Sequence, residues 1–370
     1  MKVLFLYLKA FSLTGGIEKF NRSFLKALAD LEEEKFIKAT AISAYDTSVD
    51  EKYFPSSQFK GYNGNKLLFT LNCLVEAYKY DTVIISHINL ALVGYLMKKM
   101  NPSLKLALIA HGIEIWPRQS GVKRKILDQA SLILAVSQFT KNKIVELNKG
   151  IAADKISVFP NTMDPYVDLP TDFSKPEYLI DRYNLRKESI VLLTITRLSS
   201  SEKYKGYDDL IEAMPELLKL ERNFQYLICG KADDLEKKRI EDLIDKVGVK
   251  DSVRLIGFVA ESELRDHYLL ADIFIMKSKM EGFGIVFIEA LANGRKVIAG
   301  NKDGSVDALM NGELGWLIDP DSEQELIQAV KEALTSKHNP VHVQEKVMKA
   351  FGFPSYKLRL RNFLNVLRAT

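Results

Sequence analysis

The stretch DIFIMKSKMEGFGIVFIEALANGRKVIA, residues 272–299, decides the fold. DIFIM (272–276) and KVIA (296–299) are short apolar runs, suited to strands buried on both faces. Between them, residues 284–293 have a helical period, and Gly282 and Gly284 stand at the helix entrance. Strand, helix and strand in this order make one βαβ unit, with the two strands parallel.

The same alternation extends in both directions. Around this unit lie IVLLTIT (190–196), FQYLICG (224–230), VRLIG (253–257) and GWLI (315–318), with helical patterns at 207–221, 233–247, 261–270 and 322–335. An earlier series runs VLFLYL (3–8), IKATAIS (37–43), TVIIS (82–86), KLALIA (105–110), LILAV (132–136) and ISVF (156–159), with helical patterns such as 17–31 and 138–148. Residues 160–188 carry Pro160, Pro165, Pro170 and Pro176 without a regular apolar period, and read as a linker. Two βα series of similar size predict two doubly wound α/β domains, 1–165 and 166–353. In such sheets ligands bind beyond the carboxyl ends of the strands, where the strand order reverses. Two facing domains would put that crevice between them. The tail 354–370 is helical in period, with Leu358, Phe363 and Leu367 as its expected apolar face, and suits packing on either domain.

Composition narrows the class. The 370 residues are 47% hydrophobic and 27% charged, a globular mix that excludes collagen-like, coiled-coil and disordered chains. Cys73 and Cys229 sit in apolar surroundings and read as buried thiols of a reducing compartment. MKVLFLYLKAF reads as a buried first strand, because no small-residue cleavage site comes after it. The longest apolar stretch, TVIISHINLALVGYLM, is broken by Ser86, His87 and Asn89, so no transmembrane helix is expected. Residues 1–165 hold 22 Lys/Arg against 15 Asp/Glu, and the tail holds four basic residues and no acid. Residues 166–353 are acidic on balance. A basic first part fits an anionic surface or substrate.

Four segments carry chemistry. In SKMEGFGIVFIEALANG (278–294), Glu281 precedes the helix and Glu289 projects from about its second turn. The glycines let a phosphate reach the free amides of the first turn. The two carboxylates suit hydroxyl groups at opposite ends of a ligand. Taken alone, a glycine-initiated helix with two solvated glutamates has the same pattern. In TRLSSSEKYKGYDDLIEAM (196–214), Arg197 ends a strand and Lys205 precedes Gly206, two cations able to flank a pyrophosphate. This is not a G-x-x-x-x-G-K-[ST] loop, and LTGGIEKF is not G-x-G-x-x-G. SLTGGIEKF (12–20) comes after the first strand, with Gly15 and Gly16 opening a helix. In AHGIEIWPR (110–118), His111 ends a strand, as His87 ends another. No metal-ligand spacing occurs, and Asp208–Asp209 and Asp233–Asp234 fit helix caps.

With these residues in place, the chain resembles the retaining glycosyltransferases of family 4 along essentially its whole length. GGIEKF is similar to the family's amino-terminal glycine loop, HGIE to its histidine loop and FPNTMD (159–164) to the segment before its linker. TRLSSSEKYKG is similar to its Arg…Lys-Gly phosphate loop, EGFGIVFIEALANG to its E-x7-E motif and DGSVDALMNGELGWLI to the segment beyond that motif. The resemblance implies the GT-B architecture: two Rossmann-like domains facing across a cleft, with the tail helix crossing back to the first. It makes 1–165 plus 354–370 the acceptor-binding domain and 166–353 the nucleotide-sugar-binding domain.

The resemblance also implies roles. Arg197 and Lys205 would hold the donor diphosphate, with the Gly16 backbone near it. Glu281 and the amides of Phe283 and Gly284, beside Ile285, would hold the donor sugar, and Glu289 the ribose. Phe258 and Val259 would meet the base, and His111 would position the sugar. His111, Arg197, Lys205 and Glu281 are thus the expected catalytic residues. Neither metal nor cofactor is implied. The acceptor would be a glycan or lipid-linked hydroxyl, with no nucleic acid as partner. UDP-glucose is the favoured donor and GDP-mannose the alternative. The place of action would be cytoplasmic, with Lys98–Lys99 and Lys123–Arg124–Lys125 as candidate contacts to an anionic inner membrane face. An inactive scaffold of the same fold is the reading from another class. Departures from the pattern are Lys277 and Lys296 where prolines are usual, Asp307 for glutamate, Thr162 for glycine, and one glycine rather than two around Gly230. They bear on loop shape and donor specificity.

Overall fold

The computed structural model describes residues 1–12 and 15–369. The chain forms two compact units, Met1–Val167 with Ala350–Thr370, and Asp168–Lys349. Every apolar run that reads as a strand in the sequence forms one.

In the first unit the strands are β1 (Lys2–Tyr7), β2 (Lys38–Ser43), β3 (Phe59–Gly61), β4 (Thr82–Ile85), β5 (Lys105–Ala110), β6 (Leu132–Ala135) and β7 (Ile156–Val158). They form one parallel sheet in the order β3-β2-β1-β4-β5-β6-β7. Helices α1 (Gly16–Glu33), α2 (Lys66–Glu76), α3 (Ala91–Met100), α4 (Gly121–Gln129) and α5 (Gln138–Leu147) connect them. Order reverses between β1 and β4, so the segments after these strands flank the switch point. The sequence reading passed over β3. Its FKG offers one apolar residue, and what fixes it is an edge position beside β2, where a Cβ on Gly61 would lie 2.2 Å from the Asp46 carbonyl oxygen.

The second unit has β8 (Ile190–Ile195), β9 (Phe224–Cys229), β10 (Val253–Gly257), β11 (Ile273–Met276), β12 (Lys296–Gly300) and β13 (Trp316–Ile318). These form a parallel sheet in the order β10-β9-β8-β11-β12-β13, with its switch point between β8 and β11. Its helices are α6 (Glu177–Arg182), α7 (Tyr207–Leu220), α8 (Asp234–Val247), α9 (Glu261–Leu270), α10 (Ile285–Ala292), α11 (Ser305–Ala308) and α12 (Glu323–Thr335). The short α6 lies inside the stretch expected to be a linker. Its Leu179 is buried, and Arg182 makes two hydrogen bonds to Glu263 of α9, which holds α6 there.

After α13 (Pro340–Phe351), α14 (Phe353–Ala369) packs on α1. The expected apolar face of α14 needs correction. Leu358 is exposed, and the buried stripe is Tyr356, Leu360, Leu364 and Leu367. These residues recur every three or four positions, whereas the step from Leu358 to Phe363 turns away from one face. Lys357 adds ion pairs to Asp30 of α1 and to Glu34, the residue after it, at 3.4 and 3.0 Å. Among the described residues, no helix is long and apolar enough to cross a membrane.

Candidate active site

The loops after β8 and β11 flank the second unit's switch point. The Thr194 hydroxyl donates to the Ile275 carbonyl at 2.6 Å and fixes the two strands. Gly206 then turns the first loop into α7 with φ of 80°. A Cβ there would lie 2.7 Å from Lys277 Cγ and 2.9 Å from its carbonyl oxygen, so glycine alone lets this loop press on the end of β11. The Lys279 amide also donates to the Tyr204 carbonyl at 3.0 Å.

This approach joins two residues 76 apart in sequence: the Lys205 ammonium donates to the Glu281 carboxylate. Their side chains are only 12% and 15% exposed. Burial pulls the Lys205 pKa down, but the charge and hydrogen bond of Glu281 outweigh it and raise it, so Lys205 stays cationic.

Asp303 places Glu281. Fully buried, it accepts from the Glu281 amide at 2.7 Å and the Ser305 amide at 2.9 Å. The Gly304 amide returns a bond to the Glu281 carbonyl at 2.8 Å. Burial, offset in part by these hydrogen bonds, pushes the Asp303 carboxyl up to about 7. Sequence reasoning missed Asp303. Its signal was the Asp-Gly-Ser of an Asx turn in the loop after β12.

Gly284, with φ of 84°, caps α10 and presents the first-turn amides. Phe283 and Ile285 on either side are buried and fix that turn. Glu289 stands in the second turn and accepts from the buried Tyr268 hydroxyl of α9 at 2.8 Å. Tyr268 was also missed, because nothing in α9's sequence separates a core tyrosine from one that orients a carboxylate. Lys277, where a proline was expected, is buried, bonds the Pro320 carbonyl at 2.8 Å and pairs with Asp209 at 3.1 Å. It ties α7's first turn to the segment after β13.

Arg197 is not joined to Glu281. It is largely exposed and pairs with Glu202 of its own loop at 2.6 Å. Phe258 and Val259 come after the edge strand β10, the first exposed and the second buried.

In the first unit, His111 stands just after β5 and its Nε2 lies 2.7 Å from the Ser86 carbonyl after β4. A carbonyl only accepts, so Nε2 carries the proton. Burial lowers the ring's pKa to about 4, which leaves it neutral with a lone pair on Nδ1. Phe20 of α1 meets the ring edge-on at 4.8 Å. His87 accepts from the Asn89 amide through Nδ1 at 3.0 Å, a local cap. Gly16 is exposed at the start of α1, while Leu13 and Thr14 of the same motif lie outside the described residues. Asp46 holds the loop before them, accepting from the amides of Ala10, Phe11 and Ser12 at 2.7, 3.3 and 3.2 Å.

Comparison with known proteins gives concordant matches. The family described as "Glycosyltransferase Family 4" matches residues 14–166, and "Glycosyl transferases group 1" matches residues 177–349. A GDP-mannose-dependent alpha-(1-6)-phosphatidylinositol monomannoside mannosyltransferase of Mycobacterium tuberculosis is 30% identical over 269 residues, 69% of this chain and 68% of that protein. The lipopolysaccharide 1,2-N-acetylglucosaminetransferase of Salmonella typhimurium is 26% identical over 287 residues, 75% of this chain and 69% of its own. Among solved structures, Anabaena HepE in complex with UDP superposes with a TM-score of 0.80 at 20% identity, covering 99% of this chain and 100% of that one.

Proposed function

Because the chain belongs to the family 4, group 1 glycosyltransferases and has their GT-B fold, we propose that it moves a hexosyl group, with retained anomeric configuration, from a nucleotide sugar to an acceptor hydroxyl. One observation carries this reading: Lys205 and Glu281 meet beside α10's amino terminus at the second unit's switch point. A cation, a carboxylate and a helix amino terminus suit the diphosphate and sugar hydroxyls of one donor.

In this reading the second unit binds the donor and the first the acceptor. The donor diphosphate takes over Lys205 and Arg197, and Glu281 is released to the sugar hydroxyls. Glu289, oriented by Tyr268, holds the ribose, and Phe258 and Val259 lie toward the base. The acceptor oxygen then bonds to the anomeric carbon on the face from which the diphosphate leaves. The bond from that carbon to the phosphate oxygen breaks, and the acceptor's proton passes to the departing diphosphate. Lys205, Arg197 and the α10 amides stabilise the charge that develops, in place of a metal ion. His111, neutral by burial, positions a sugar hydroxyl by accepting through Nδ1 and supplies no proton.

The sequence resemblance favours UDP-glucose. The mycobacterial relative's GDP-mannose supports that donor as the second reading. The acceptor is a glycan or lipid-linked hydroxyl, and the basic balance of residues 1–165 supports a peripheral seat on the cytoplasmic face of an anionic membrane. The test is nucleoside diphosphate release from each donor, with chelator present and a mixture of glycan and lipid acceptors. Release from one donor, reduced at least about hundredfold by Glu281→Ala, is expected. Release that stops with chelator, or survives the substitution, would refute the mechanism.

A further inference from the structure

Helix α2 turns four of its apolar side chains outward. Phe69 and Cys73 face the first unit's core. On the opposite side Leu67, Leu68, Leu71 and Val75 are between 51% and 70% exposed, and Tyr78, just past the helix, is 66% exposed. Positions 67, 71, 75 and 78 lie along one side of a helix. A surface helix ordinarily gives that side to polar residues, whereas α2 is apolar on its outward side as well as its inward one. The patch continues onto α3, where the Tyr78 hydroxyl donates to the carbonyl of exposed Met100 at 2.8 Å. A contiguous exposed face of this kind marks a contact surface.

The charge around it identifies what the surface meets. From Lys66 to Gln129, which takes in α2, α3 and α4, there are nine Lys/Arg and four Asp/Glu. Each acid is engaged within the unit. Glu76 pairs with Lys60 and Lys79, Asp81 accepts from the Lys2 amide, Glu114 accepts from the His111 amide, and Asp128 pairs with Arg124. Lys66 and Lys79 flank the apolar face at its two ends, and Lys99 stands exposed beside Met100. A second copy meeting this face about a two-fold axis would set these lysines against themselves. An anionic bilayer offers both an apolar layer and negative headgroups.

We infer that the outward face of α2 is the membrane-docking element, with Leu67, Leu71 and Val75 entering the headgroup boundary of an anionic membrane and Lys66 and Lys99 pairing with lipid phosphates. This rests on the peripheral attachment in the proposed function and not on its donor chemistry. It differs from the sequence expectation, which put attachment on the basic runs alone.

The experiment is flotation of the full chain with phosphatidylcholine vesicles, with and without about one-third phosphatidylglycerol. It compares the wild type, Leu71→Asp/Val75→Asp, and Lys66→Glu/Lys99→Glu, with thermal melts to confirm folding. Wild type should float with the anionic vesicles, and both variants should lose at least tenfold in partition at unchanged melting temperature. Retained flotation by Leu71→Asp/Val75→Asp would overturn the assignment of α2 while leaving peripheral attachment intact. No flotation of wild type would overturn the attachment itself. A wild-type dimer by light scattering that Leu71→Asp/Val75→Asp makes monomeric, with no flotation, would give the face to a second copy and overturn the lipid assignment.

Discussion

Glu202 and His111 show how much single residues of this protein set. Glu202 engages Arg197, one of the two cations proposed for the diphosphate, at 2.6 Å. Arg197 is mostly in water, so the pair is worth about 0–1 kcal/mol. Glu202→Gln should therefore raise donor affinity by up to about fivefold, more at low salt than at high. Weaker donor binding by that variant would mean Glu202 orients Arg197 rather than competing for it. His111 makes a different commitment. With its pKa lowered to about 4 by burial, its contribution to stability is complete above about 6.5 and is lost as pH falls through 4. Nitrogen-15 NMR should find the neutral ring with the proton on Nε2 from pH 5.5 to 8. An imidazolium at pH 6 would remove it as a hydroxyl acceptor and restore it as a candidate acid.

At the scale of elements, two glycines separate folding from binding. Gly206 sits at φ of 80° with the Lys277 carbonyl in its path, so Gly206→Ala should cost about 1–3 kcal/mol and part the loops that join Lys205 to Glu281. Gly16 opens α1 in a helical position where a Cβ would meet nothing within 4 Å. Gly16→Ala should leave the melting temperature unchanged or higher. If its backbone approaches the diphosphate, the same change should still weaken the donor. Unchanged donor affinity would remove Gly16 from the site. Legibility in the sequence divides along similar lines. Period and glycine placement identified β8, α7, β11 and α10, and with them Lys205, Glu281 and Glu289. The Asx turn at Asp303 was legible, but its hold on Glu281 was not, and neither was Tyr268's hold on Glu289, because both arise from burial against segments distant in sequence. The apolar stripe of α14 was misjudged because Leu358 and Leu360 look alike until α1 chooses between them.

At the scale of the whole molecule, chemistry and charge are divided between two parallel-sheet units. The acidic second unit carries the cation, carboxylate and helix amides proposed for the donor. The basic first unit carries the neutral histidine and the outward face of α2. Fold class came from alternation alone, since strands buried on both faces leave little choice but a doubly wound sheet. Donor and acceptor identity did not, because neither the E-x7-E motif nor the Lys205–Glu281 pair distinguishes one nucleotide or hexose from another. Calorimetric titration with UDP-glucose and with GDP-mannose, chelator present, on wild type and Lys205→Met addresses the proposed donor site directly. One donor should bind below millimolar and weaken at least about tenfold in Lys205→Met, the loss expected for a charge-assisted hydrogen bond. Binding of neither donor, or binding indifferent to Lys205, would contradict a nucleotide-sugar site at this switch point.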